Sequence, residues 1–169
     1  KKYYGSDCDI SQCRNRYKTA AEKFIEIYSS LLPDDADVSL FSVPGRSEIA
    51  GNHTDHNHGK VIAASISLDI IAVAAKNSAG EIRVKSEGFP EDIVDLNDVS
   101  RVDESQFFKA SAIIRGVCDG FLKNGFRDGG FYAYTTSNVL KGSGLSSSAA
   151  FEDMIGNILN HFYNGGNIG

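Results

Sequence analysis

The stretch GFYAYTTSNVLKGSGLSSSAAFEDMIGNILNHFY, residues 130–163, decides the fold. It opens with aromatic and β-branched residues, which predict a strand over residues 130–136. The Gly- and Ser-containing segment 137–144 predicts a loop, and the apolar spacing after it predicts a helix from about residue 147 to residue 163. The predicted inner face of this helix consists of Ala150, Met154, Ile155, Ile158, Leu159 and Phe162.

The segment from Gly142 to Ala149 combines the features of an anion-binding loop. Glycines let the backbone approach a ligand closely, and a helix start presents unpaired N–H groups at the positive end of the helix dipole. Serine hydroxyls can donate to phosphate oxygens, and one of them could ligate a magnesium ion. The segment lacks the Gly-Lys-Ser/Thr sequence of a Walker loop. The alternative is a Gly/Ser connection followed by a serine N-cap.

The hydrophobic patterns elsewhere predict a layered α+β domain. The other predicted elements are helices over residues 11–32 and 106–123 and strands over residues 38–43 and 82–86. A turn at Pro44-Gly45 is expected to close the first strand. The apolar stretch 61–75 is long for one strand, so it is divided near Leu68-Asp69 into two adjacent strands. Because the strands cluster in the middle of the chain, α+β layering is favoured over regular βαβ alternation.

A second polar segment, PGRSEIAGNHTDHNHG at residues 44–59, follows the first predicted strand. It is predicted to form a loop, on which an arginine and many polar side chains could converge on a polyhydroxylated ligand. Three of the four histidines lie here, so a transition-metal site, as in a metal hydrolase, is an alternative built on His53, Asp55, His56 and His58. A polar surface loop rich in turn residues is the third possibility.

Composition and charge exclude several classes of protein. The chain has 169 residues, of which 41% are hydrophobic and 23% charged, and its net charge is -5. These values are typical of one globular domain, and they argue against duplex nucleic acid as a partner. No apolar run reaches the roughly 20 residues that span a bilayer, and no signal-peptide pattern opens the chain. Three sparse cysteines predict a cytoplasmic protein with incidental thiols, and both ends of the chain are expected to be cut.

Together and in this order, segments 45–59 and 142–149 resemble two motifs of one enzyme family. The first resembles the galactokinase signature, and the second resembles the phosphate-binding motif of the wider GHMP small-molecule kinases. The resemblance implies that residues 1–169 form the N-terminal domain of a GHMP kinase, an α+β fold of the ribosomal protein S5 domain 2-like type. It also implies transfer of the γ-phosphate of ATP, with Mg²⁺, to the anomeric hydroxyl of α-galactose.

The resemblance further implies a role for individual residues. Arg46 matches the family's arginine beside the reacting centre, where a fixed cation stabilises the transferring phosphoryl group and steadies the general base. Sugar contacts are implied for Asn52, His53, Thr54 and Asp55. Ser148 matches the family's magnesium-ligating serine, for which a helix N-cap is the alternative role. The nucleotide phosphates would be bound by seven consecutive residues, Gly142, Ser143, Gly144, Leu145, Ser146, Ser147 and Ser148.

Four positions depart from the family pattern. Asn52 stands where galactokinases usually have Glu, His56 where they have Tyr, Glu48 where they have Asn, and Leu140 where Pro is frequent. Because Asn cannot carry charge, the exchange at position 52 affects the expected sugar preference more than the kinase class. The alternatives are therefore a kinase for N-acetylgalactosamine or another sugar, and a non-catalytic galactokinase-like sensor of sugar and ATP.

A general base for the reaction is not evident in this sequence. The family's catalytic Asp, its second magnesium-binding acid and its C-terminal GHMP domain are expected beyond Gly169. After Ser148 the only acids are Glu152 and Asp153, on the predicted helix. The 169-residue chain alone is therefore expected to be inactive. Apolar surface that the missing part would cover is expected to favour self-association.

Overall fold

The computed structural model describes residues 9–51, 58–101, 104–139 and 145–168. The α-helices and strands in these ranges are α1 (Ile10–Tyr28), β1 (Val38–Ala50), β2 (Ile62–Lys76), β3 (Glu81–Ser86), β4 (Glu91–Asp95), α2 (Ala110–Lys123), β5 (Phe131–Ser137) and α3 (Ser147–Tyr163). The strands form one sheet in the order β1-β2-β5-β3-β4, and all neighbouring pairs are antiparallel except β3 with β5. The α+β layering predicted from the sequence is confirmed.

The sheet lies between two layers of helices. Helix α1 packs on one face, and α2 and α3 pack on the other. Because successive side chains of a strand point to opposite faces, the single strand β2 contributes to both cores. Its contributions are Ile71, Val73 and Ala75 on the α1 side and Ile70, Ala72 and Ala74 on the α2 and α3 side. β5 does the same with Tyr132 and Tyr134 on the α1 side and Phe131 and Ala133 on the other, so β2 and β5 together link the two layers.

The helices follow the sequence prediction to different degrees. α3 has the predicted bounds, and all six residues of its predicted inner face are buried. α1 ends at Tyr28 rather than near residue 32 and continues as a short 3₁₀ turn. α2 begins at Ala110 rather than residue 106, since Phe108 has φ = 66°, which an α-helix does not accommodate. Phe107, which falls within the predicted helix, lies before α2 and is 51% exposed. Within the described ranges, no helix is long and apolar enough to cross a membrane.

The predicted end of β1 at Pro44-Gly45 is wrong. β1 continues through these residues to Ala50 and pairs with β2 along its length. Proline lacks an N–H donor, but β1 is an edge strand, where a missing donor need not break a ladder hydrogen bond. The pairing register shifts between Pro44 and Arg46, so an irregularity in the ladder replaces the predicted turn.

The predicted division of residues 61–75 into two strands is also wrong, because β2 is one strand of 15 residues. Its first half is mostly exposed and forms a two-stranded ribbon with the end of β1, whereas residues 69–75 are buried. The polar Ser65 and Ser67 belong to the exposed half. Asp69, which was expected at the break, is 3% exposed and pairs in register with Pro44.

Candidate functional site

Arg46 lies on β1 and not on the predicted loop. It is exposed, and its partner in the ladder is Ser65 of β2. Its backbone N–H donates to the carbonyl oxygen of Leu145 at 3.3 Å. The backbone that carries the arginine is therefore bonded to the residue that directly follows the glycines of the second motif.

Gly45 brings the two motifs into direct contact. A Cβ built at this position would lie 3.1 Å from each of three atoms, Ile66 Cδ1, the Leu145 carbonyl oxygen and Val139 Cγ2. Val139 and Leu145 flank the segment 140–144, which lies outside the described residues. The absence of a side chain at Gly45 thus allows β1 to approach both flanks of the Gly/Ser segment. Gly45 of the first motif therefore lies against Leu145 of the second, although the two residues are 100 positions apart in the sequence.

The entry into the Gly/Ser segment is held by short polar contacts. After β5, the Asn138 N–H donates to the main-chain oxygen of Asp69 at 3.0 Å. The Ser137 hydroxyl accepts from the Val139 N–H at 3.0 Å, and Val139 is buried. This end of the segment is therefore anchored to β2 and to the core.

The exit from the segment leads directly into α3. Ser146 is the N-cap of this helix, adopts the left-handed conformation with φ = 59°, and makes no side-chain capping bond. Ser148 is the second residue of the helix and is exposed, so it does not occupy the N-cap position suggested as its alternative role. The first N–H groups of any helix lack an intrahelical acceptor and attract anions. With Ser147 half-buried beside it, the exposed Ser148 hydroxyl lies at this positive end.

The residues predicted to contact the sugar lie between β1 and β2. Asn52, His53, Thr54, Asp55 and also His56 fall outside the described residues, so their predicted contacts stay predictions. The segment leaves β1 at Gly51, where φ = 119° and an added Cβ would meet the Val61 Cα at 2.6 Å. Only glycine fits this backbone, which brings the chain close to the start of β2.

Two residues near the motifs were missed by the sequence analysis. Asp69 was interpreted only as a break between strands, and Arg16 only as part of the first helix. In the structure their side chains form an ion pair between α1 and β2, and Asp69 is almost completely buried. A single charge inside an apolar run was the available signal, because a buried carboxylate requires a partner.

The metal alternative gains no support from the described part of the chain. There, no group of three or more His, Cys, Asp or Glu side chains could hold a metal ion, and three of the four residues proposed for that site lie outside it. Of the thiols, Cys118 is buried, and burial raises its pKa to about 12. Such a thiol stays protonated and unreactive at neutral pH, as expected for an incidental cysteine.

Comparison with known proteins agrees with the two motifs. The family model described as the galactokinase galactose-binding signature matches residues 22–76. A galactokinase from Lactobacillus helveticus is 36% identical over 151 residues, which is 85% of this chain and 37% of the relative. A galactokinase from Lactococcus lactis strain IL1403 is 31% identical over 144 residues, which is 85% of this chain and 35% of the relative. The chain therefore spans little more than a third of the length of the curated relatives it matches.

Solved structures agree at the level of the fold. The crystal structure of Lactococcus lactis galactokinase complexed with galactose superposes with a TM-score of 0.73 at 28% identity, over 88% of this chain and 38% of that one. Methanococcus jannaschii mevalonate kinase, at 19% identity, gives a TM-score of 0.60 over 78% of this chain and 42% of that one, and shows the shared fold only. The resemblance to galactokinases and the GHMP kinase fold predicted from the sequence are confirmed.

Proposed function

We propose that the complete protein containing this galactokinase-like chain transfers the γ-phosphate of ATP to the anomeric hydroxyl of galactose. One observation carries the proposal: Gly45 packs against Val139 and Leu145, and the Arg46 N–H donates to Leu145, so the first motif meets both described flanks of the Gly/Ser segment. A kinase needs this arrangement, because the sugar hydroxyl and the γ-phosphate must be held within reach of each other.

Arg46 supplies positive charge beside the transferring phosphoryl group. Phosphoryl transfer depends mainly on positioning and on electrostatic stabilisation of charge on the equatorial oxygens, and a guanidinium suits both needs. Arg46 projects from a strand whose backbone is paired with Ser65 on one side and bonded to Leu145 on the other. Because the backbone beneath this exposed side chain is held in place, less reorganisation is needed to bring the charge to the phosphoryl group when the transition state forms.

The nucleotide phosphates bind the segment from Gly142 to Ser148, which leads into the first turn of α3. Backbone N–H groups at the start of α3 donate to phosphate oxygens, and the helix dipole favours their negative charge. The exposed Ser148 hydroxyl fits Mg²⁺, which prefers oxygen ligands and completes its shell with water and phosphate oxygens. When bound, the ion neutralises charge on the phosphates, and Ser148 is the residue of this chain that would hold it.

The sugar is bound by the polar run that follows Gly51. His53, Thr54 and Asp55 offer the donors and acceptors that sugar hydroxyls require, and Asn52 can both donate and accept without carrying charge. The neutral Asn52 favours a kinase for a related sugar as the second candidate, because the family usually has an acid there. The general base is assigned to a part of the protein outside this sequence.

The test is identification of the product formed by the complete protein. With ATP, Mg²⁺ and galactose, phosphorus NMR should show a resonance for a sugar 1-phosphate that grows as ADP accumulates. The Arg46→Ala variant should form this product at least about 10²-fold more slowly, whereas Arg14→Ala, which removes an exposed arginine of α1, should match the wild type. ADP formation without a phosphorylated sugar would contradict the proposal.

A further inference from the structure

A polar cluster of Arg16, Ser42 and Asp69 lies between α1 and the sheet. The Arg16 Nη1 donates to Asp69 Oδ1 in an ion pair, and the Ser42 hydroxyl donates to Asp69 Oδ2 at 2.6 Å. The second guanidinium nitrogen, Nη2, donates at 3.0 Å to the main-chain oxygens of Asp69 and of Thr136. One arginine of α1 therefore bonds to both β2 and β5, while Asp69 bonds to β1.

The Asp69 carboxylate is buried at the edge of the core on the α1 side, although Ser42 beside it is exposed. The Asp69 side chain is 4% exposed and that of Arg16 is 18% exposed. The residues that follow Asp69, Ile70 and Ile71, belong to the cores on the two faces of the sheet. A buried carboxylate is costly unless it is paired and hydrogen-bonded, and an apolar residue could fill the same space without that cost. The charge is therefore expected to have a use besides stability.

The position of the cluster indicates this use. Asp69 pairs in register with Pro44, so it lies beside the β1 residue that precedes Gly45 and Arg46. Its main-chain oxygen also accepts from the Asn138 N–H, two residues before the undescribed segment 140–144. The same residue thus contacts the strand that leads to the arginine and the loop that leads to the glycines.

We propose that Arg16 and Asp69 are positioning residues, which set the spacing between Arg46 and the nucleotide-binding segment. The proposal rests on the proposed function and identifies residues that hold the two motifs of its site in place. Neither side chain touches the reactants. Arg16 joins β2 to the end of β5, and the Asp69 carboxylate joins this pair to β1 through Ser42. Loss of the pair would let the two motifs move relative to each other, and a misplacement of about 1 Å can cost about 10²-fold in rate.

The proposal is tested by comparing Asp69→Asn with a variant of similar stability in the complete protein. Asp69→Asn keeps the shape and the main-chain bonds but removes the ion pair. Val73→Ala is the matched control, because Val73 lies on the same strand and the same face, is 1% exposed, and belongs to the α1-side core. Both variants should unfold at lower temperature. Assayed where each is fully folded, Asp69→Asn should lose about 10- to 100-fold in kcat/KM for ATP, and Val73→Ala should keep the wild-type value.

Two further variants protect the test against simple misfolding. Ser42→Ala removes one bond to Asp69 and should lower kcat/KM for ATP in the same direction but by less. Arg16→Lys keeps the charge but lacks the planar fork that reaches the oxygens of Asp69 and Thr136. It should therefore retain only part of the wild-type kcat/KM for ATP. Equal kcat/KM values for Asp69→Asn, Ser42→Ala and Val73→Ala would overturn the positioning role.

Nucleotide affinity separates this proposal from the proposed function. Titration of a fluorescent N-methylanthraniloyl-ATP should give weaker binding for Asp69→Asn than for Val73→Ala. If no sugar were phosphorylated but this difference persisted, the proposed function would be rejected and the positioning role supported. If galactose were phosphorylated and both variants bound nucleotide and turned over like the wild type, the positioning role would be rejected alone.

Discussion

Replacement of Gly45 by alanine tests the contact between the two motifs. The added methyl group would lie 3.1 Å from the Leu145 carbonyl oxygen, from Val139 Cγ2 and from Ile66 Cδ1. These distances are shorter than ordinary contacts, so three neighbours must move by a few tenths of an ångström. Overpacking of this kind costs about 1–3 kcal/mol, while the reduced freedom of the unfolded chain returns about 0.4–1 kcal/mol. The net loss of folding free energy should lie between about 0 and 2.6 kcal/mol, with a midpoint near 1.3 kcal/mol.

Gly116→Ala is the matched control, because it is the same chemical change at a glycine with open space around it. Gly116 lies inside α2, is exposed, and an added Cβ meets no atom within 4 Å. Alanine is the better helix former by about 0.8–1 kcal/mol, so this variant should be stabilised. The two substitutions should therefore change stability in opposite directions.

The assay is thermal unfolding of the 169-residue chain followed by circular dichroism. For a chain of this length, 1 kcal/mol corresponds to about 2–4 °C in Tm. At the midpoint of its range, Gly45→Ala should lower Tm by about 3–5 °C, whereas Gly116→Ala should raise it by about 2–4 °C. If Gly45→Ala raised Tm as much as Gly116→Ala, the close approach of β1 to Leu145 and Val139 would be refuted.

Three further outcomes are expected. In the complete protein, Arg46→Ala should lower kcat by about 10²-fold or more with a smaller change in galactose affinity, because its charge acts mainly in the transition state; an unchanged kcat would exclude this role. Ser148→Ala should raise the apparent KM for the magnesium–ATP complex, and excess magnesium should partly relieve the defect; a defect insensitive to magnesium would argue against ligation. The 169-residue chain alone should form no ADP above a Ser148→Ala control, and turnover by the chain would contradict this expectation. In sedimentation the chain should self-associate through exposed apolar residues such as Ile49 and Ile62, which are 68% and 62% exposed. A strictly monomeric chain would contradict that second expectation.

Local sequence patterns predicted the bounds of an element best where a single periodicity runs through the whole element. α3 was predicted with its bounds, since six apolar residues on one face follow a helical spacing without interruption. β4 was not predicted, because its five residues, Glu91–Asp95, are mostly charged. The break at Asp69 was predicted wrongly, because a polar residue within an apolar run is typical of a strand end unless a distant partner neutralises it. That partner, Arg16, is 53 positions away and cannot be inferred from local pattern.

The candidate site shows the same limit. The residue types of both motifs were evident from the sequence, and so was their order. Their contact was not, because it depends on a glycine in β1 meeting Val139 and Leu145 after the sheet has formed. The prediction of a turn at Pro44-Gly45 failed for a related reason, since these residues favour turns in isolation but continue the strand at an exposed edge.

The most direct test of the central claim is the sugar preference of the complete protein. ADP release in the presence of ATP and Mg²⁺ should be measured for galactose, N-acetylgalactosamine, glucose and a sugar-free control, with kcat/KM determined for each. Galactose is expected to have the highest kcat/KM, and ADP release is expected to depend on the presence of a sugar. If another sugar exceeded galactose by more than tenfold, about 1.4 kcal/mol of transition-state preference, the galactose assignment would be contradicted and Asn52 would be the first residue to examine. If no sugar stimulated ADP release, the kinase assignment itself would be contradicted.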